Sequence, residues 1–288
     1  MSKERAIFQS VKAATVSLVI MTKKDDGTCP FYIVGSGFCV DSIGIIITCR
    51  HVLSAFMSQP IEKQINGFEE IRSEKGVKTG NLAVRYHPYV IFYRTDIELK
   101  PDHFFAIPTR ACINMAKTDF DLAMIRVTPH NAFPRGFPFL EIEDYKNIYE
   151  GDEIATCGFP LGNYLQEQLG TITSSFTKGI VSSIIPASNV PQKYLKGFQL
   201  NLTATHGNSG GPVFSLATGK VFGVLQGGVV DHERKPIPNL IKAEPVYPVL
   251  EYNSLAKMKE MKIPKTEVDC AALIEGCRKN LQRKNDII

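Results

Sequence analysis

Short apolar, β-branched runs recur from the N-terminus to about residue 250 of this 288-residue chain, each ended by Gly, Pro, Asn or Asp. They include Ala14–Thr22, Phe31–Val40, Ile43–Thr48, Leu82–Tyr93, Leu122–Val127, Glu153–Gly158, Thr171–Ile185, Phe198–Thr203, Val213–Phe214 and Val221–Gln226. Such segments suit a pleated, half-buried surface, and many of them in succession predict an all-β barrel or sandwich. Leu82–Tyr86 and Val90–Tyr93 flank His87-Pro88-Tyr89, which reads as the turn of a hairpin. No repeat of fixed period is present.

Two regions break the pattern. Residues 54–81 are polar and rich in Glu, Lys and Gly, as expected of a surface insertion. Residues 253–288 lose the strand signature. There Val268, Ala271, Ala272, Ile274, Cys277 and Leu281 recur at three- and four-residue steps and predict an amphipathic C-terminal helix. The stretch from Ala13 to Met21 is interrupted by Thr15 and Ser17, too short for a membrane span and without a cleavage site. A buried strand is expected there.

Hydrophobic residues make up 44% and charged residues 22%, an ordinary globular balance, and a net charge of +4 implies no dedicated nucleic-acid surface. The seven cysteines form no CxxC pair and no metal-ligand spacing, so neither a metal nor another cofactor is expected. Without an export signal, reduced thiols and a cytoplasmic location are expected.

The chemistry concentrates in His206-Gly207-Asn208-Ser209-Gly210-Gly211-Pro212. A serine hydroxyl is a poor nucleophile unless a base takes its proton and donors receive the oxyanion. Glycines around it let the chain turn sharply and aim amides at one point. The candidate base is His51, where the apolar run Ile46-Ile47-Thr48-Cys49 ends. The candidate carboxylate is Asp121 or Asp119, both before the run Leu122–Val127 and on the same face by strand alternation.

These segments, taken together, resemble a chymotrypsin-fold (trypsin-like) serine protease, most similar to the HtrA/Do-like branch. Gly35-Ser36-Gly37-Phe38 with Thr48-Cys49-Arg50-His51-Val52 resembles that branch's block around the catalytic histidine. Asp121-Leu122-Ala123 resembles its D-L-A block and favours Asp121 over Asp119. Gly151-Asp152 with Gly158-Phe159-Pro160-Leu161-Gly162, Gly179-Ile180-Val181-Ser182, and Gly207 through Pro212 resemble its remaining blocks, in the same order. The resemblance implies two antiparallel six-stranded β-barrels, at about residues 13–130 and 148–250, in a protease domain over residues 1–250, with a helical extension at 251–288. It implies a triad of His51, Asp121 and Ser209, an oxyanion hole from the Gly207 and Ser209 amides, and protein or peptide substrates. No nucleic-acid or membrane partner is expected.

Departures from the pattern carry expectations of their own. Asn208 stands where zymogen-activated relatives hold an aspartate that pairs with a new N-terminus, so activation by clipping is not expected. Val52 follows His51, so the disulfide bracketing that histidine in secreted relatives is absent. Residues 251–288 are too few for a further domain of ordinary size, so no PDZ domain is expected. The specificity pocket implied by the resemblance draws on Thr203 to His206 and on Leu225 and Gln226. No carboxylate lies in those pieces, which predicts a small or medium apolar residue before the cleaved bond.

Overall fold

The computed structural model describes residues 2–22, 31–58, 86–93, 104–114, 120–127, 129–162, 173–186, 195–233, 235–251 and 254–260. Twelve strands form two closed antiparallel barrels. The first contains β1 (Thr15–Thr22), β2 (Phe31–Asp41), β3 (Ile45–Cys49), β4 (Tyr86–Tyr93), β5 (Phe104–Asn114) and β6 (Leu122–Val127), in the order β1-β2-β3-β6-β5-β4. The second contains β7 (Glu153–Gly158), β8 (Ser175–Pro186), β9 (Leu195–Asn201), β10 (Pro212–Ser215), β11 (Val221–Val230) and β12 (Pro236–Pro245), in the order β10-β11-β12-β9-β8-β7. Closure leaves no sheet edge to be capped.

The strands follow from the apolar runs, with instructive exceptions. β3 and β6 are buried along their whole length, because one face fills the first barrel and the other is covered, by the second barrel at Cys49 of β3 and by Met258 and Lys259 at Arg126 of β6. Ile154, Val181, Phe198, Leu200, Phe222, Leu225 and Ile241 fill the second barrel. Burying a side chain of this size contributes about 1.5–3 kcal/mol.

The expected turn at His87-Pro88-Tyr89 is not a turn: β4 runs straight through it, with Pro88 opposite Ile20 of β1. The ladder to β5 begins only at Tyr89. A residue without an N–H is tolerated at Pro88 because one side of the strand has no ladder partner there among the described residues. β5 and β12 were not signalled by the apolar runs. Each is broken by proline and polar residues, at Pro108, Thr109 and Arg110 in one and at Pro238, Asn239 and Lys242 in the other.

Helices tie the ends down. α1 (Lys3–Ala14) starts on a Ser2 cap, whose hydroxyl accepts the Arg5 amide at 3.3 Å, and leads directly into β1. Phe8 meets Phe176 and Phe214 edge to face, and Lys3 Nζ donates to the Ala217 carbonyl at 2.7 Å, so α1 braces the second barrel. α2 (Arg50–Ser58) follows β3 at once and takes in the first five residues of the expected insertion; the rest of that insertion lies outside the described residues.

At the other end come α3 (Pro248–Glu251) and α4 (Ser254–Glu260). Arg126 Nη1 of β6 donates to the Met258 and Lys259 carbonyls at 2.8 and 2.9 Å, capping the end of α4 on the first barrel. The helix expected over Val268–Leu281 lies outside the described residues. Among the described residues no helix is long and apolar enough to cross a membrane.

Candidate active site

Strand register brings His51 and Asp121 together. β3 and β6 pair Cys49 with Leu122, so the residues just past Cys49 and just before Leu122 emerge side by side. The Arg50 amide donates to the Asp121 carbonyl at 3.0 Å, and the His51 amide donates to Asp121 Oδ1 at 2.9 Å. The His51 ring Nδ1 lies 2.6 Å from Asp121 Oδ2. Gln226 Nε2 donates to the same oxygen at 3.2 Å. Burial alone would raise the Asp121 pKa, but the hydrogen bonds from His51 and Gln226 outweigh it and hold the carboxyl below its ordinary value. Asp121 is thus ionised at neutral pH. Asp119 lies outside the described residues.

Ser209 comes from the second barrel, on the turn between β9 and β10. Two glycines make that turn possible. Gly207 has φ +97° and Gly210 φ +89°, the left-handed region. A Cβ on Gly207 would collide with the Phe159 carbonyl oxygen, and one on Gly210 with the Ser36 carbonyl oxygen.

The turn is held from outside. The Leu161 amide donates to the His206 carbonyl at 2.8 Å, and the Gly211 amide to the Asn208 carbonyl at 3.0 Å. In a trans peptide the N–H points opposite to the C=O. The Gly207 and Ser209 amides therefore face away from those anchored carbonyls, and among the described residues neither has a hydrogen-bond partner.

Ser209 Oγ donates to the Gln226 carbonyl at 2.8 Å rather than to His51. Of the expected pocket residues, Thr203 and His206 are exposed, and Gln226 is half-buried against Asp121. Leu225 is the correction: its side chain is wholly buried in the second barrel. It reaches the site only through its carbonyl, which accepts the Gly210 amide and the Cys49 thiol. Strand alternation sends Leu225 inward and Gln226 outward.

Sequence reasoning missed Glu244 on β12. It is 2% exposed and bound by Lys242 Nζ at 3.1 Å, beside Asp121. Burial and the Asp121 charge raise its pKa despite Lys242. Only its place inside a poorly apolar run could have hinted that this carboxylate is interior.

Cys49, His51 and Asp121 bring possible ligand atoms within 4.8 Å of one another. Each already has a protein partner: the buried Cys49 thiol donates to the Leu225 carbonyl, and His51 and Asp121 bond each other. Burial, with the Asp121 and Glu244 charges, raises the Cys49 thiol pKa. Buried Cys39 and Cys157 are pushed up to about 12 and about 11, as small core residues would be.

A family model described as "Trypsin-like peptidase domain" matches residues 35–224, a span that holds His51, Asp121 and Ser209. The chain belongs to the trypsin-like peptidase domain family. Within this family it has HtrA/DegP-like relatives. A "Serine protease HtrA-like" of Staphylococcus aureus (strain bovine RF122 / ET3-1) is 28% identical over 145 residues, 49% of this chain and 17% of the relative. A "Probable periplasmic serine endoprotease DegP-like" of Rickettsia prowazekii (strain Madrid E) is 27% identical over 186 residues, 59% of this chain and 32% of the relative.

This trypsin-like peptidase chain therefore spans no more than about a third of the length of these relatives. Two solved structures share the fold. The HtrA-type protease AlgW with a decapeptide aligns with a TM-score of 0.55 at 15% identity, covering 90% of this chain and 68% of that one. Deg5 aligns with a TM-score of 0.54 at 16% identity, covering 87% and 94%.

Proposed function

We propose that this chain is a serine endopeptidase of the HtrA/Do-like, chymotrypsin-fold type, with His51, Asp121 and Ser209 as its triad. The observation that carries the reading is that Gln226 bridges the site: its side-chain amide donates to Asp121, which holds His51, and its carbonyl accepts Ser209 Oγ. An ionised Asp121 orients His51, and Ser209 sits on a turn whose two amides have no acceptor among the described residues. In the reaction, Ser209 Oγ rotates to His51, loses its proton to the imidazole and attacks a peptide carbonyl. The Gly207 and Ser209 amides receive the oxyanion. The imidazolium returns the proton to the leaving amine, and water cleaves the acyl-enzyme with His51 again as base.

Substrates are proteins or peptides with a small or medium apolar residue before the cleaved bond, facing Thr203, His206 and Gln226. The decapeptide in the AlgW structure supports peptide substrates, and the apolar preference rests on the lack of a carboxylate in Thr203–His206 and Leu225–Gln226. Asn208 is neutral, so control by an ion pair to a clipped N-terminus is not part of the proposal. The test is labelling with a fluorophosphonate. Native protein takes up one label at Ser209 and the Ser209→Ala variant takes up none. An unlabelled native protein, or a labelled Ser209→Ala variant, would overturn the reading.

The bond from Ser209 Oγ to the Gln226 carbonyl favours a second reading, a protease-fold binding module whose hydrolysis is conditional. Under that reading the native chain labels only after a peptide is added. Labelling at the same rate with and without peptide rules it out.

A further inference from the structure

We propose that Ser36 is a positioning residue of this reaction, its hydroxyl locking the Gly207–Ser209 turn in the form whose amides receive an oxyanion. The inference rests on the protease reading above. Ser36 lies on β2 of the first barrel, wholly buried and outside the triad. Its hydroxyl and its amide are both spent on the site. Oγ donates to the Gly207 carbonyl at 2.6 Å and accepts the Phe159 amide at 3.0 Å. The Ser36 amide donates to the Ser209 carbonyl at 2.9 Å, and its own carbonyl accepts Thr48 Oγ1 at 2.7 Å.

These bonds fix both peptide planes that flank Gly207. The plane after it is held directly, through the Gly207 carbonyl. The plane before it is held through the segment Phe159–Leu161, since Ser36 Oγ anchors Phe159 and the Leu161 amide anchors the His206 carbonyl. A glycine in the left-handed region has little intrinsic barrier against another backbone state. Rotation of the plane before Gly207 would turn the His206 carbonyl, rather than the Gly207 amide, toward the oxyanion. The Ser36 hydroxyl opposes that rotation.

The residue type suits the place. A hydroxyl donates and accepts at once, so it serves Gly207 and Phe159 together. The space is closed, with Oγ 3.1 Å from where a Gly158 Cβ would lie. Alanine at this position would fit and would leave a carbonyl and an amide without their partner.

The test compares wild type with Ser36→Ala, well below the melting midpoint of either. Three quantities are read: the second-order rate constant of fluorophosphonate labelling, the affinity for a peptide boronate with an apolar first residue, and the affinity for the matching peptide amide. The boronate forms a tetrahedral oxyanion and the amide does not. The labelling rate and the boronate affinity are expected to fall together by about 10- to 100-fold, the range for loss of part of an oxyanion hole, while amide affinity changes less than about twofold.

A Ser36→Ala variant that melts lower but keeps wild-type labelling rate and boronate affinity overturns the proposal, because Ser36 is then only packing. If Ser36→Ala does not fold, Ser36→Cys substitutes a weak donor and is expected to fall between the two. Wild-type rates in Ser36→Cys overturn the proposal as well. Wild-type protein that does not label at Ser209 overturns the protease reading itself, a separate outcome.

Discussion

Ser209 Oγ is bound to the carbonyl oxygen of Gln226, 2.8 Å away, while the Gln226 side chain reaches Asp121. One residue of β11 therefore touches both the serine and the carboxylate of the site. A carbonyl accepts a hydrogen bond but takes no proton, so in the proposed reaction Ser209 must turn to His51 to become nucleophilic.

Gln226→Leu keeps the carbonyl and removes the amide donor. A hydrogen bond to a charged group is worth about 1.5–3 kcal/mol, and His51 retains two contacts to Asp121. The expected loss is about tenfold in kcat/KM, each 1.4 kcal/mol being about tenfold, with labelling still confined to Ser209. Steady-state kinetics on a fluorogenic peptide measures it. An unchanged kcat/KM would show that this contact does not serve the reaction.

Asp121→Asn removes the charge that stabilises the His51 imidazolium and reverses the tautomer preference. A fall in kcat of about 10⁴-fold is expected. Because the folded pKa of Asp121 is depressed, its ionisation contributes stability above the unfolded value of about 3.9, and that contribution is lost as pH falls through the folded value. Melting of the wild type followed from pH 6 down to pH 2 should therefore steepen relative to the Asn variant.

Gly207→Ala places a Cβ against the Phe159 carbonyl at a φ that alanine avoids. The turn must move, and the Gly207 amide moves with it. Labelling at Ser209 is expected to slow by about 10²–10³-fold, the cost of one oxyanion donor. A labelling rate constant equal to wild type would exclude that amide from the reaction.

Glu244→Gln tests the buried acid beside Asp121. The folded pKa of Glu244 is raised, so its contribution to stability is greatest below the unfolded value of about 4.3 and declines as pH rises through the folded value. The melting midpoint of the Gln variant minus that of the wild type should grow as pH is raised from 4. Lys242 is partly exposed and keeps its charge solvated when Glu244 is neutralised. A pH-independent difference would mean that Glu244 titrates as it does in the unfolded chain.

Arg126→Met unfastens α4 from the first barrel. One buried and one part-buried carbonyl acceptor lose a charged donor, at about 1.5–3 kcal/mol per bond when fully lost and less where water enters. A drop of about 5 °C in melting midpoint is expected, at about 2–4 °C per kcal/mol for a chain of this size class. Labelling at Ser209 should survive, since the contact lies on β6 well past Asp121. Calorimetry with parallel labelling checks both parts.

The strand runs were legible wherever apolar residues dominate, as in Leu122–Val127 and Glu153–Gly158, whose bounds agree with β6 and β7. β5 and β12 were illegible because proline and charged residues occupy positions whose pairing is supplied by neighbouring strands. α1 was missed because only Val11 and Ala14 of its twelve residues are buried, and its stability comes from Phe8 and Lys3 docking on the second barrel. His51, Asp121 and Ser209 could be picked out as candidates because each sits in a short block whose residue types the chemistry demands. The reach of Ser36, Gln226 and Glu244 into the same site could not, because each depends on contacts with residues far away in the chain.

The sequence by itself determined which residues are candidates for reaction. A serine between glycines, a histidine ending an apolar strand and an aspartate opening another are local facts, written in residue types and spacing. Only the tertiary structure decided how they stand. The register of β3 on β6 sets the His51–Asp121 contact, and the docking of β2 against the Gly207–Ser209 turn leaves two amides without an acceptor among the described residues. Those outcomes come from hydrogen bonds between segments 70 to 171 residues apart, and such pairings are set by the packing of two closed barrels rather than by any local preference.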